Sequence, residues 1–154
     1  MKIKDNYGFT IIELLVVISV IAIILGVVIP RFKGMQDEAN KAKAKSETKT
    51  IQTALESWFI NSTPNAYPSS SSTVCASYLV EAGPLIVAAP LYDPFRSTGT
   101  EYEYYLSDDG SYYVVFSYGP NRQTDITGID DDGALIGNEV DDVFATNGVG
   151  WGPS

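Results

Sequence analysis

The 154-residue sequence has no histidine and a single cysteine, Cys75. Without imidazole, the side chain that most readily exchanges a proton near neutral pH is missing, and general acid–base catalysis loses its commonest agent. One thiol cannot close an intrachain disulfide, so packing alone must hold the fold. Cys75 itself reads as a small buried apolar residue. Positive charge is also scarce: ten Lys and Arg stand against nineteen Asp and Glu, a formal net charge of −9. Beyond Phe59 the basic residues are Arg96 and Arg122. An acidic surface repels phosphates, so no nucleic acid is expected as a partner. No Gly-rich phosphate loop or soft-metal cluster occurs, and no base is placed beside a Ser or Thr. Catalysis therefore finds no support, and a structural or binding role is expected.

What the sequence does have is one long apolar run. Phe9 to Ile29 is about 21 residues, which as a helix rising ~1.5 Å per residue covers ~30 Å, a bilayer core. Lys2 and Lys4 precede it and Asp5 offsets one of them, a weak positive bias that favours a cytoplasmic N-terminus. An ordinary secretory signal fits poorly. The run exceeds the usual ~7–15 residues, and Ile29-Pro30-Arg31-Phe32 is not a small-residue cleavage site.

Within the run the lone ionisable residue is Glu13. A carboxylate in hydrocarbon is costly, so it either reaches back to the headgroups or meets a cation at its own depth. If the chain were cut between Gly8 and Phe9, Phe9 would carry a free amine about one helical turn from Glu13. The Glu13 of one subunit could then neutralise the amine of the next. Such a pair is worth far more in low dielectric than in water, and it would set the axial register between subunits.

The segment Gly8-Phe9-Thr10-Ile11-Ile12-Glu13-Leu14-Leu15-Val16-Val17 resembles the class III signal of type IV pilins and type II secretion pseudopilins. It combines a short charged leader, the Gly-Phe junction, the lone Glu and the apolar run. The resemblance implies cleavage after Gly8 by a prepilin peptidase, N-methylation of Phe9, and Glu13 as the assembly carboxylate. It divides the chain into a leader (1–8), a membrane and filament-core helix (9–29), an amphipathic second half of that helix (30–60), and an exported head (61–154) with an acidic C-terminal loop. It also implies a hinge at Pro30, where such helices unwind on assembly. Independently, a helix-interior proline removes a backbone donor and crowds the preceding turn.

From Pro30 the spacing predicts helix to about Phe59. Phe32, Met35, Ala39 and Ala42, then Ile51, Leu55 and Trp58 with Ala54 and Phe59, recur at intervals of three and four. The Ile51 to Phe59 stripe should pack on the head, whereas Phe32 to Ala42 should pack on neighbouring subunits. Asn61 to Ser72, rich in Ser, Pro and Asn, is expected to be a loop, followed by a short helix over Val74 to Glu81 and an extended piece around Gly83-Pro84. Asp93-Pro94-Phe95 reads as a turn and resembles the element before the sheet of secretion pseudopilins. Tyr102 to Leu106 and Tyr112 to Tyr118 are the clearest strands, joined by Ser107-Asp108-Asp109-Gly110. Their tyrosines are expected to pack against the helix with hydroxyls reaching water. Val143-Phe144-Ala145 is a candidate edge strand. The expected fold is α+β and pilin-like, a long N-terminal helix laid on a small antiparallel sheet.

After the hairpin comes an acidic stretch: Asp125, Asp130-Asp131-Asp132-Gly133, Asn138-Glu139 and Asp141-Asp142. Its spacing is not an EF-hand, and on composition alone it reads as a solvated loop. The family resemblance points instead to calcium. Ser117-Tyr118-Gly119-Pro120-Asn121 is similar to the Ser-x-Gly-x-Asp/Asn element of the major secretion pseudopilins, and Asp142 to their later acid. The longer loop here leaves Asp125, Asp130 and Asp132 open as further ligands.

The whole chain looks most like the major pseudopilins of type II secretion systems. The resemblance implies a homo-oligomeric helical filament built at the bacterial inner membrane, with the head in the periplasm. It also implies partners in the prepilin peptidase, an inner-membrane assembly platform and minor pseudopilins, with lipid around the helix before assembly. Two other readings stay open: a type IV pilus subunit for adhesion, motility or DNA uptake, and a membrane-anchored binding module with a concave aromatic pocket.

Overall fold

The computed structural model describes residues 8–70, 73–80, 86–138 and 140–151. Residues 1–7 of the expected leader, Glu81, Gly83-Pro84 and Glu139 lie outside the described residues. Among the described residues one helix, α1 (Ile11–Asn61), is followed by a π-helical turn (Cys75–Leu79) and five strands: β1 (Glu103–Leu106), β2 (Tyr113–Ser117), β3 (Ile126–Ile129), β4 (Leu135–Gly137) and β5 (Val143–Thr146). The chain forms two compact units, one ending at Glu38 and one running from Ala39.

In the first unit, residues 8–27 are all exposed. A helix apolar on every side finds its burial outside the chain, in lipid or against other copies. This one is long and apolar enough to cross a membrane. Ser19 does not break the pattern, because its hydroxyl donates to the Leu15 carbonyl at 2.7 Å. The helix continues through Pro30 to Asn61. Phe32 and Met35 are 64% and 69% exposed, so the apolar surface continues past the span.

In the second unit, the core begins where the spacing turns from all-round apolar to one-sided. Ala44, Thr48, Ile51 and Leu55 fall on one face and are fully buried. The face packed on the head therefore starts about two turns before Ile51, earlier than the sequence stripe indicated. Ala44 and Thr48 were missed because a small residue and a hydroxyl carry little hydrophobic signal. Thr48 tolerates burial by donating to the Lys45 carbonyl at 3.3 Å.

The main sheet is antiparallel in the order β1-β2-β5, with Tyr104 opposite Val115 and Val115 opposite Ala145. All five residues of β2 are buried. Tyr113 and Val115 join the α1 core, while Val114 and Phe116 join a second cluster with Ile126, Ile129 and Leu135. That second cluster is the cover supplied by the β3–β4 hairpin, so the sheet is sandwiched. The stretch expected as an acidic loop is in part this hairpin. Ile126 and Ile129, three residues apart, reach the same cluster because the register shifts between Ile126 and Gly128, so the strand lacks the plain alternation that would have marked it in the sequence.

Short elements complete the head. Instead of a helix from Val74, the chain makes the π-helical turn, with Val74, Cys75 and Leu79 buried. The β1–β2 connection closes as expected: Ser107 N donates to the Tyr112 carbonyl at 2.8 Å, and Gly110 sits at φ 75°.

Candidate functional site

Two places on the chain hold the residues singled out above. At the N-terminus, Gly8 and Phe9 precede the helix and are exposed, Phe9 by 80%. Thr10 and Glu13 form a reciprocal cap. Thr10 N and Oγ1 donate to Glu13 Oε2 at 2.9 and 2.7 Å, and Glu13 N donates to Thr10 Oγ1 at 3.3 Å. This is the Thr-x-x-Glu capping box, which satisfies donors that the first turn of a helix leaves unpaired. The Thr10-x-x-Glu13 spacing that makes this box is present in the sequence. Before any assembly, then, the Glu13 carboxylate holds the start of its own helix.

The second place is on the head. The turn Gly119 to Arg122, the start of β3 and the residues before β5 converge there. Gly119, at φ 64°, takes a conformation that other residues rarely adopt, and a Cβ there would lie 2.3 Å from the Asp141 carbonyl oxygen. The glycine of the Ser-x-Gly-x-Asn element is thus what lets the Asp141 backbone approach. Asp141 Oδ2 accepts from Asn121 N at 2.9 Å. Asp142 Oδ2 accepts from both Asp125 N and Ile126 N at 2.9 Å. Asn121 Nδ2 donates to Asp125 Oδ2 at 2.9 Å.

The result is three carboxylates, Asp125, Asp141 and Asp142, with oxygens within 4.8 Å of one another. Asp141 Oδ1 and Asp142 Oδ1 are buried without a hydrogen-bond partner. Burial pushes the Asp142 carboxyl up to about 6. Its two backbone donors oppose the shift, and the charges of Asp125 and Asp141 add to it. Oxygens sharing one calcium at ~2.3–2.6 Å lie within ~5 Å of each other, so this donor set fits a hard cation. Two buried, unmatched carboxylate oxygens are the groups such an ion would satisfy.

Not every expected ligand joins this group. Asp130 closes the β3–β4 turn: its Oδ1 accepts from Asp132 N at 3.1 Å and Ala134 N at 2.7 Å. Asp132 is exposed in the same turn. The Ser117 hydroxyl, fully buried, donates to Asp93 Oδ1 at 2.6 Å, and Tyr118 N donates to Asp93 Oδ2 at 3.0 Å. Asp93 Oδ1 also accepts from Phe95 N at 2.9 Å within the expected turn, so Asp93 both closes that turn and pins it to the end of β2. Asp141, next to the expected Asp142, joins the group as well, although neighbouring residues of a regular strand point to opposite faces. A bend at residues 140–141 brings both acids to one side.

The tyrosines also depart from expectation. Tyr102 donates to Glu47 at 2.6 Å, Tyr113 to Glu56 at 2.7 Å and Tyr67 to Glu56 at 3.1 Å. The Tyr102 and Tyr113 hydroxyls fasten the sheet, and the Tyr67 hydroxyl the loop after α1, to carboxylates of α1. Burial, reinforced by the Glu56 charge and hydrogen bond, pushes the Tyr67 hydroxyl up to about 12.

A long helix with an apolar, exposed first half and a second half packed on a small antiparallel sheet is the pilin-like class of subunit. Residues 3–29 match the model of the prokaryotic N-terminal methylation motif. The type II secretion system core protein G of Escherichia coli strain K12 is 30% identical over 132 residues, covering 80% of this chain and 88% of that protein. Its namesake from Aeromonas hydrophila is 30% identical over 148 residues, covering 90% and 95%. The type IV major pilin protein PilA of Myxococcus xanthus is 39% identical over 54 residues, but that match covers 35% of this chain and 24% of the pilin. No solved structure gives a significant match. The chain belongs to the type II secretion system core protein G family, and its role is that of a pseudopilin.

Proposed function

We propose that this pseudopilin is the repeating subunit of a filament assembled from the bacterial inner membrane to drive protein export. In this reading the leader, residues 1–8, stays in the cytoplasm until a prepilin peptidase cuts after Gly8 and Phe9 is N-methylated. Glu13 then exchanges its own Thr10 cap for the Phe9 amine of a neighbour, at the assembly platform where minor pseudopilins start the filament. Residues 9–29 leave lipid for the filament core, Pro30 supplies the hinge, and the head from residue 61 stands in the periplasm. The role is structural, with no reaction carried out by the chain.

The observation that carries this reading is the fully exposed apolar half of α1 with one carboxylate at its start. A surface of that kind needs a lipid or protein environment, and the capped Glu13 provides an acid for a cation at the same depth. Deleting the gene in the native host tests it. Loss of secreted proteins from the medium, restored by the intact chain but not by Glu13→Ala, is expected. Loss of surface fibres with secretion intact would favour the pilus reading instead.

Calcium is part of the proposal. Asp125, Asp141 and Asp142 would hold it, with Asn121 beside them, and the ion would tie the Gly119 turn, β3 and β5 together. Because the ion would offset most of the repulsion among the three carboxylates, it would act as a structural clasp.

A further inference from the structure

Just past the apolar run, the first unit carries a short stretch that none of these roles uses. Arg31, Phe32, Lys33 and Met35 follow the span directly on α1, and all four are exposed. Among the described residues, neither the Arg31 nor the Lys33 side chain has an ion pair or a hydrogen bond, although Asp37 stands one turn beyond Lys33. The stretch also has no preferred side. At ~100° per residue, Arg31, Phe32 and Lys33 point in three directions around the helix. A protein partner is met by one face, whereas cations and apolar side chains on several sides suit a medium that surrounds the helix.

We propose that Arg31 and Lys33 hold the phosphates of anionic phospholipids in the leaflet where the span ends. A helix rises ~1.5 Å per residue, so the two residues stand about 3 and 6 Å beyond Ile29, within a headgroup layer about 5–7 Å deep. At this level a Lys or Arg lays its apolar stem on hydrocarbon and keeps its charge among the headgroups. Phe32, between them, is an apolar ring at the same boundary. A zwitterionic lipid balances its phosphate with its own amine, so the net negative charge that matches these unpaired cations belongs to an anionic lipid. Each Lys or Arg near such a surface favours binding about fivefold.

Charge also separates lipid from a second copy as the occupant. Two copies inserted in one membrane bring Arg31 and Lys33 to the same depth, so copy meets copy with like charges. Lipid phosphates relieve that repulsion. The contact therefore belongs to the unassembled subunit, and addition to the filament ends it. This lipid contact rests on reading residues 9–29 as the membrane span, and it holds whichever leaflet the end of the span occupies.

The test uses the full chain, isotope-labelled in phosphatidylcholine bicelles at ~0.1 M salt, with phosphatidylglycerol introduced stepwise. Saturable shifts of the Arg31, Phe32 and Lys33 amides are expected, with residues 15–25 and the head unmoved. Replacing Arg31→Gln and Lys33→Gln together is expected to raise the phosphatidylglycerol fraction at half-saturation about fivefold or more. The exchange Arg31→Lys with Lys33→Arg, which keeps both charges, is expected to keep the response. Equal shifts with soluble glycerol phosphate would make a free anion the ligand, against the proposal. Shifts confined to residues 1–8, where Lys2 and Lys4 lie, would give the anionic lipid to the leader and overturn it as well. So would a response indifferent to the double Gln substitution, or shifts at Arg31 and Lys33 that grow with protein concentration in phosphatidylcholine alone. Amides of residues 15–25 that exchange freely with water in phosphatidylcholine would refute the membrane span and the lipid contact with it. A protected span with no response to phosphatidylglycerol would refute the lipid contact alone.

Discussion

Glu13 and Glu56 belong to the same helix, and their surroundings have almost nothing in common. Glu13 is ringed by exposed Ile, Leu and Val, and its partner is Thr10, three residues away. Glu56 receives hydroxyls from Tyr67 and Tyr113, which lie 11 and 57 residues further along the chain. The first carboxylate is satisfied locally and so can be released without unfolding anything. The second is wired into tertiary contacts and cannot be released without loosening the head. In the proposed assembly one end of α1 would trade partners between molecules, while the other keeps its partners within one.

Glu13→Ala is the largest break of this contrast. Secretion in the native host should fall at least about tenfold, because an unmatched amine in low dielectric opposes every added subunit. The melting temperature of the head should not move. A parallel loss of head stability would erase the distinction between the two glutamates.

Glu56→Ala attacks the other end. It strands the Tyr67 and Tyr113 hydroxyls, and the loss should be about 2–4 kcal/mol, or roughly 6–15 °C in Tm by tyrosine circular dichroism in detergent. Membrane insertion should be unchanged.

Calcium sharpens the comparison within the head. The full chain with a hundredfold excess over Kd should gain ~2.7 kcal/mol relative to chelator. Asp142→Ala should abolish the gain, and Asp132→Ala should leave it. An equal loss with Asp132→Ala would move the site to the β3–β4 turn.

The smallest effect is in pH. Asp142 sits at about 6 against an ordinary 3.8, so without calcium the folded head holds this proton more tightly than the unfolded chain. Its contribution is complete below the ordinary value and is lost as pH rises through about 6. With the residue only partly buried, that is about 1 kcal/mol. Asp142→Asn should flatten the trend, as should saturating calcium. A rise in stability across the same window would reverse the sign and refute the assignment.

Much of this was legible in the sequence wherever a single local property decides the outcome. The apolar run and the lone Glu13 follow from length and composition, β1, β2 and β5 from residue preference for strands, and the Gly8-Phe9 junction from the family resemblance. β2 carried a further clue that went unread: Tyr-Val-Val-Phe-Ser has no polar side, which is how a strand covered on both faces looks. The missed β3–β4 hairpin was its cover. Among the acids, composition could not separate Asp130 and Asp132, which serve a turn, from Asp141 and Asp142, which meet Asp125.

The sequence by itself determined the membrane-length helix, the place of its one carboxylate and the strands of the main sheet, because hydrophobicity and backbone preference act over a few residues. Tertiary structure alone decided which aspartates converge and which tyrosines find Glu47 and Glu56. Those depend on a bend at residues 140–141, a Gly119 that admits a backbone within contact, and a hairpin folded over the sheet. Each brings together groups far apart in the chain, and spacing along a sequence does not encode distance across a fold.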